Sequence, residues 1–187
     1  MPPVIKYSKE KVIEIGLELV KEEGIEKVSA RNVAKKLGSS ICPVFSCFET
    51  MDDLKQTLLK EIYKLYVKYL NEGMLANEKV FKGAGLAYIK FARENKNYFK
   101  ALFMGKNEKN IDELIRIDKN NDNIKKAICE STKLSEDDAV KLHQYNWVFV
   151  HGIAVMLATD YCVFSDDEIS EMLSFEYQSL LHSFRRC

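Results

Sequence analysis

Hydroxyl, thiol and apolar side chains cluster in one short stretch of the chain. From Gly38 to Phe48 the sequence is GSSICPVFSCF, which holds three serines and two cysteines but no lysine or arginine. Serine hydroxyls hydrogen-bond to base edges, and apolar side chains contact the methyl group of thymine. Because a bidentate contact to guanine needs arginine or lysine, any reading of a DNA duplex here would depend on hydroxyls, backbone groups, thymine methyls and DNA shape.

Two short helices are predicted to position these side chains. Ser29 is a favourable N-cap for a helix that Gly38 ends. Ser40 is the predicted N-cap of the next helix, which runs to about Phe48 and has Pro43 as its third residue, where no intrahelical hydrogen bond is lost. This spacing is that of a helix-turn-helix motif, although a helical hairpin in an ordinary bundle has the same pattern.

The rest of the chain has helical periodicity and no alternating strand pattern. Ser8 and Gly24 bound the first helix, and Thr50-Met51-Asp52-Asp53 opens a long one that ends near 71–73. Further helices are expected at 80–93, 97–104, 124–131, 135–160 and 165–184, with a loop and a weak helix at 106–123. We predict an all-α fold with a three-helix module at 1–52 and a helical body at 53–187, linked by the helix that starts near residue 50.

Taken together, these features resemble the TetR family of transcriptional regulators. The matching elements are LVKEEG at the end of the first helix, Ser29-Ala30-Arg31, VAKKLG at 33–38, Pro43-Val44-Phe45 with Phe48, and Met51-Asp52-Asp53-Leu54. The resemblance covers about residues 8–70, and beyond them only length and helicity agree. It implies a homodimer whose N-terminal modules bind a palindromic double-stranded DNA operator, and a C-terminal domain that binds an unknown small-molecule effector and thereby releases DNA, most simply as a repressor.

Residues of the two short helices and of the start of the next are predicted to contact DNA. The resemblance places Ser29 and Arg31 at phosphates, and gives Phe45 a position where a tyrosine hydroxyl usually reaches a phosphate. The full predicted set is Ser29, Arg31, Lys35, Ser39, Ser40, Cys42, Pro43, Val44, Phe45, Ser46 and Lys55. Further neutralisation of phosphates is expected from Lys6, Lys9, Lys27 and Lys36. Residues 1–60 carry 10 basic and 9 acidic side chains, so binding must use a local patch and should depend steeply on salt.

Two C-terminal helices are expected to form the dimer seam and part of a ligand pocket. Residues 140–158 are apolar on nearly every face, and the last helix has a wide apolar stripe. The predicted interface comprises Trp147, Val155, Met172, Leu173, Tyr177, Leu180, Leu181 and Phe184. The predicted ligand contacts are Tyr88, Phe91, Phe99, Phe103, Trp147 and His151. Aromatic residues at helical spacing are equally typical of an ordinary core, and a histidine among them is typical of a hydrogen-bonded core residue.

Composition narrows the class of protein further. Basic and acidic residues both number 28, and five cysteines have neither a CxxC pair nor a histidine cluster, so we expect free thiols, no metal and no cofactor. Catalytic motifs are missing, which argues against an enzyme. No apolar stretch is long enough to cross a membrane, and we expect a cytoplasmic protein. Two alternatives remain: a helical dimer that has lost DNA binding and acts through protein contacts, and a small all-helical enzyme.

Overall fold

The structure is a computed structural model that describes residues 7–77, 79–105 and 120–185. Within these residues every regular element is helical and no strand occurs, which confirms the predicted all-α class. Numbered in chain order, the helices are α1 (Lys9–Glu23), α2 (Ala30–Leu37), α3 (Cys42–Cys47), α4 (Met51–Ala76), α5 (Val80–Glu94), α6 (Lys96–Phe103), α7 (Asn120–Thr132), α8 (Glu136–Ala158) and α9 (Asp166–Phe184). No helix in the described ranges is both long and apolar enough to cross a membrane.

Local capping chemistry sets most of the helix starts. Ser8 Oγ accepts a hydrogen bond from the Lys11 N–H at 3.2 Å. At the start of α9, Ser165 Oγ accepts from the Glu168 N–H at 3.2 Å, and the Glu168 carboxylate accepts from the Ser165 N–H at 2.7 Å. This reciprocal pair is a capping box, and it lowers the pKa of Glu168, mainly through the bond from the backbone N–H. The sequence therefore dictates these helix boundaries within a few residues of each cap.

The chain divides into two compact units. Among the described residues, unit 1 comprises 7–65 and 95–105, and unit 2 comprises 66–77, 79–94 and 120–185. Helix α4 contributes to both units, with the division after Leu65. The sequence placed the boundary at residue 52, at the start of this helix, and assigned α6 to the second body.

Unit 1 has its own hydrophobic core. Helices α1 to α4 supply side chains that are at most 9% exposed, including Val12, Leu19, Val33, Leu37, Val44, Leu54 and Leu58. Gly16 allows α1 to approach α4 closely, since a Cβ at this position would lie 2.8 Å from Leu58 Cδ2. Helix α6 packs on α1, where the Tyr98 hydroxyl donates to the Leu17 carbonyl at 3.1 Å. These contacts hold the short helices α2 and α3 on a rigid support.

Unit 2 is built around α5 and α8, with α7 and α9 packed against both. The end of α4 approaches α5 so closely that a Cβ on Gly73 would lie 2.5 Å from the Ala87 Cβ. Arg93 ties the end of α5 to the start of α9, because its guanidinium donates to the Asp166 carboxylate and, at 3.2 Å, to the Phe164 carbonyl. The fold therefore encloses its second core between four helices.

Candidate nucleic-acid interface and ligand cavity

The turn between α2 and α3 follows from three local features. Ser29 Oγ accepts from the Asn32 N–H at 3.2 Å, which caps α2 as predicted. Asn32 Nδ2 donates to the Lys27 carbonyl at 2.8 Å and anchors the preceding 3₁₀ turn. Gly38 ends α2 with φ of +67°, a left-handed conformation that glycine adopts without strain. The predicted helix-turn-helix hairpin is therefore present.

Helix α3 begins one residue later than the sequence indicated. Its N-cap is Ile41, and Pro43 occupies the first turn, where its missing N–H removes no intrahelical bond. Ser40 Oγ still accepts weakly from the Cys42 N–H, at 3.4 Å. The later start does not change which side chains share a face, because that follows from the helical spacing: Val44 and Phe48, four residues apart, are both buried.

The outward face of α3 combines apolar and small polar side chains. Phe45 is 46% exposed, Ile41 is 48% exposed, and Cys42 and Ser46 lie beside them on the same face. Ile41 was missed by the sequence analysis, although its position one turn before Phe45 indicates a shared face. Val44 is 0% exposed and packs in the core of unit 1, so its prediction as a base contact is wrong. We call the exposed set of Ile41, Cys42, Phe45 and Ser46 the α3 face.

The serine hydroxyls near the α3 face are engaged in local hydrogen bonds. Ser46 Oγ donates to the Pro43 carbonyl at 2.9 Å, and Ser39 Oγ donates to the Ser40 carbonyl at 2.9 Å. In this arrangement each oxygen retains acceptor capacity, while its proton is already used. These hydroxyls can therefore accept a hydrogen bond from a base amino group as they stand, and must rotate to donate one.

The cations predicted to contact phosphates differ in exposure and in pairing. Arg31 and Lys35 are exposed on α2 and Lys55 is half-buried on α4; within the described ranges none of the three has a carboxylate at ion-pair distance. Lys36 instead pairs with carboxylates of α1, at 2.8 Å and 3.1 Å. Lys9 lies over the Phe48 ring, 4.8 Å from its centroid. Among the other predicted phosphate contacts, Lys27 is exposed and Lys6 lies outside the described residues.

The segment before α1 braces the hairpin. The Tyr7 hydroxyl donates to the Leu37 carbonyl at 2.9 Å, and the Cys47 thiol lies 3.9 Å from the Tyr7 carbonyl. One residue therefore contacts the ends of both α2 and α3. This contact fixes the hairpin against the rest of unit 1.

The six residues predicted to bind a ligand do not form one cluster. Phe99 and Phe103 belong to unit 1, where their rings pack at a tilted angle with a centroid distance of 5.2 Å. In unit 2, His151 stacks face to face on Trp147 at 4.7 Å, and its Nδ1 lies 2.9 Å from the Tyr88 hydroxyl. Burial lowers the pKa of His151 and raises the pKa of Tyr88, so both are neutral at pH 7.

The sixth residue, Phe91, is fully buried against two tyrosines of α4. Its ring meets Tyr66 and Tyr69 edge-on, each at a centroid distance of 5.4 Å. This packing is typical of a core residue.

A cavity of about 1040 Å³ lies within unit 2. Residues from the end of α4, the first turns of α5, and α7 to α9 line it, and none of the six predicted ligand residues is among them. Its wall includes Lys82, Phe81 and Leu86 on one side and Ser170, Leu173 and Ser174 on the other. A cavity of this size accommodates a drug-sized organic molecule.

The predicted dimer residues differ in how accessible they are. Leu173 is only 4% exposed and lines the cavity, so its assignment to an interface is wrong. The other seven are half-exposed: Trp147, Val155, Met172, Tyr177, Leu180, Leu181 and Phe184. Three side chains on the same helices are more exposed than these seven and were not predicted: Tyr145 at 54%, Val148 at 55% and Phe175 at 74%. Tyr145 and Phe184 stack at 6.2 Å, which joins α8 and α9 into one aromatic surface.

Comparisons with known proteins agree on the fold. No protein-family model matches the sequence, and no curated protein matches it. The chain is similar in structure to a TetR-like transcriptional regulator from Rhodococcus sp. RHA1, with a TM-score of 0.67 and 10% sequence identity over 97% of this chain and 98% of that one. It is also similar to a transcriptional regulator from Rhodococcus sp. Rha1, with a TM-score of 0.64 and 15% identity over 95% and 97% of the two chains. The protein therefore has the all-α fold of TetR-like regulators.

Proposed function

We propose that this chain is a DNA-binding transcriptional regulator of the TetR family that acts as a homodimeric repressor and leaves its palindromic operator when a small molecule binds. The observation that carries the proposal is the α3 face, because a hairpin in an ordinary bundle gains nothing from two exposed large apolar side chains, while Arg31 and Lys35 of the adjoining helix have no carboxylate partner within the described residues. Phe45, on a helix of six residues, and Ile41, its N-cap, are each nearly half exposed. The shared fold of TetR-like regulators supports the same conclusion.

The chemistry of the α3 face suits an operator rich in thymine. Ile41 and Phe45 offer apolar contact to thymine methyls, and Ser46 offers an acceptor for the amino group of adenine or cytosine. Arg31 and Lys35 are placed on α2, the helix that crosses the backbone in this motif, and supply charge for phosphates. Affinity then comes chiefly from phosphates and specificity from methyl contacts and DNA shape.

A second copy of the chain is the proposed partner of the exposed surface of α8 and α9. Tyr145, Val148 and Gly152 follow one another at spacings of three and four residues, so they share one face of α8. A Cβ on Gly152 would meet nothing within 4 Å in the protomer, yet glycine inside a helix costs about 1 kcal/mol relative to alanine. A close crossing with the same helix of a partner would explain both the glycine and the exposed aromatic side chains.

Regulation then follows from two arrangements of the dimer. In one arrangement the two α3 helices match successive major grooves of the operator, about one helical turn of DNA apart. The effector favours the other arrangement, and it can shift the equilibrium only by its difference in affinity for the two.

Binding of DNA from the region upstream of the protein's own gene tests this proposal. We expect dimeric protein to shift this DNA at low salt and the shift to weaken steeply as salt rises. A double variant, Ile41→Ala with Phe45→Ala, removes the apolar part of the α3 face and should abolish the preference for the operator over random DNA. A matched variant, Tyr63→Ala on the exposed side of α4, should behave as the wild type, since its residue is 38% exposed but lies outside the α3 face.

The main alternative is a helical dimer that has lost DNA binding and acts through protein contacts. The absence of lysine and arginine from residues 39–48 is the observation that favours it. Folded, dimeric protein that shifts no DNA at low salt would establish this alternative over the regulator.

A further inference from the structure

We propose that the cavity in unit 2 binds a small organic carboxylate with an apolar body, held through the ammonium group of Lys82. This inference deepens the proposed function, because it names the chemical class of the effector and the residue that recognises its charge. The cavity lining does not include the aromatic residues that the sequence suggested as ligand contacts.

Lys82 is held in place by two hydroxyls across the cavity. Its Nζ donates to Ser170 Oγ at 2.7 Å and to Ser174 Oγ at 2.9 Å. Ser174 Oγ in turn donates its own proton to the Ser170 carbonyl at 2.7 Å, which leaves its lone pairs for the lysine. An ammonium has three N–H donors, so one remains for a ligand. The side chain is thereby oriented before any ligand arrives, which lowers the entropic cost of binding.

The charge of Lys82 is not neutralised within the described part of the chain. No carboxylate there lies within ion-pair distance of its Nζ. The first turn of α5, where Lys82 lies, contains no acidic residue, and the positive end of the helix dipole adds to the lysine charge. A partly buried cation is costly unless it meets an anion. This cavity therefore favours a negatively charged occupant.

The other charged residues that line the cavity do not reverse this preference. They are Lys79, which is exposed, and Glu130. Glu130 pairs with Lys126 of its own helix at 3.9 Å. A nearby carboxylate, Glu176, accepts a hydrogen bond from Asn146, and burial raises its pKa. Among the described residues that line the cavity, two lysines and one glutamate leave the balance of charge positive.

Apolar walls define the rest of the ligand. The rings of Phe81 and Tyr177 meet at a centroid distance of 4.8 Å, and Leu86, Leu173 and Leu181 continue the lining. Because Lys82 is half-buried while Lys79 is exposed, this lining suits one acidic head beside Lys82 and an apolar body. A phosphate with two negative charges would need more donors than Lys82 and the two serine hydroxyls provide.

Calorimetric titration of the full-length protein without DNA tests this proposal. The probes are decanoate and 2-naphthoate, each compared with its primary amide, which keeps the shape and removes the charge. We expect at least one carboxylate to bind about tenfold more tightly than its amide, since a charge-assisted hydrogen bond contributes about 1.5–3 kcal/mol. Lys82→Met should remove this difference and leave the affinity for the amide unchanged. Lys90→Met, the same change at an exposed position of α5 outside the cavity, should bind as the wild type does.

Several results would overturn the assignment. They are no binding of either carboxylate by the wild type, equal affinity for carboxylate and amide, or unchanged carboxylate binding by Lys82→Met. If that variant does not fold, as judged by its helical circular dichroism, the comparison of carboxylate with amide in the wild type decides alone. Because no DNA is present, failure here refutes the ligand site only, whereas failure to shift operator DNA refutes the proposed function only.

Discussion

Lys36 Nζ lies 2.8 Å from a carboxylate oxygen of Glu22, so an ion pair links α2 of the helix-turn-helix hairpin to α1. Glu18 adds a second carboxylate at 3.1 Å. The hydrogen bond that Lys36 donates to Glu22 raises the pKa of Lys36, which stays charged at all physiological pH values. Its neighbour Lys35 is exposed and has no such partner within the described ranges. We therefore expect two adjacent lysines of α2 to have different roles: Lys36 stabilises the packing of α2 on α1, and Lys35 contacts DNA.

Replacing each lysine separately should distinguish these roles. Lys35→Ala and Arg31→Ala should each lower the magnitude of the slope of log K against log salt by about 0.9, because each removes one phosphate contact. Lys36→Ala should lower the melting temperature and leave the slope unchanged. Fluorescence anisotropy with labelled operator over a salt series measures the slope, and thermal unfolding followed by circular dichroism measures the stability. An equal loss of slope in all three variants would contradict the division of roles.

Phe45 is placed to gain a DNA contact from one added atom. Phe45→Tyr puts a hydroxyl on an exposed ring at the position where TetR-like proteins usually have tyrosine, and it should tighten binding to all DNA by about 1 kcal/mol, or about fivefold. Stability should not change, since the ring is 46% exposed. In the proposed complex the face of the Phe45 ring contacts thymine methyls while its tip points to a phosphate, so weaker binding by this variant would show that the tip also meets bases or another protein surface.

Val44 provides the contrasting case on the same helix. It is 0% exposed, so Val44→Ala should destabilise unit 1 by about 2 kcal/mol through lost burial and an unfilled cavity. Binding of the folded fraction to DNA should be unaffected. Chemical denaturation gives the first quantity, and anisotropy at a temperature well below the midpoint gives the second.

Helix boundaries were the part of the structure most accessible from the sequence. Ser29, Ser135 and Ser165 cap helices as predicted, because a cap is decided by a few consecutive residues. The outward face of α3 was harder to predict, because the contacts of this short helix with α1 and α2 decide which of its sides is buried. Capping propensity was misleading here, since serine is the more favourable N-cap but Ile41 holds that position without a side-chain cap.

Features that depend on distant parts of the chain were missed. Leu65 and Tyr69 continue the helical spacing of apolar residues in α4, whereas Tyr66 and Leu70 are the buried residues in that half of the helix. Burial there continues at intervals of four from Ile62, and the packing partners that select this interval come from α5. The pairing of Lys82 with serines of α9 likewise joins residues 88 and 92 positions apart. No local pattern contains that information.

Replacing Gly152 by leucine should change the stability of the protomer and the affinity of the proposed dimer in opposite directions. Gly152→Leu meets no atom within 4 Å of its Cβ in the protomer and improves helix propensity, so the protomer should be at least as stable. At a close helix crossing the same side chain forces the two copies apart. We expect the dimer dissociation constant to rise by about tenfold or more and operator binding to fall with it, as measured by analytical ultracentrifugation and anisotropy.

Two leucines of α9 provide the controls for that experiment. Leu180→Asp, at a half-exposed position, should dissociate the dimer and leave a folded protomer. Leu173→Asp should instead unfold unit 2, because that residue is 4% exposed and a buried charge has no partner there. A dimer that tolerates both Gly152→Leu and Leu180→Asp would place the interface elsewhere.

The environment of His151 should make stability fall in mildly acidic solution. Burial lowers its pKa below the usual 6.5, while its ring stacks on Trp147 and its Nδ1 lies 2.9 Å from the Tyr88 hydroxyl. As pH falls below about 6.5, the usual pKa of histidine, the unfolded chain binds more protons than the native protein does. The contribution of His151 to the free energy of unfolding is therefore constant above about pH 6.5 and decreases as pH falls from there toward the native pKa. Urea unfolding of the wild type and of His151→Gln between about pH 7.5 and about pH 5 measures this, and the wild type should lose more stability than the variant. Glu176, whose pKa is raised by burial, is common to both proteins and cancels in the difference. Parallel pH profiles of the two proteins would show that His151 is not protonated differently in the folded and unfolded states.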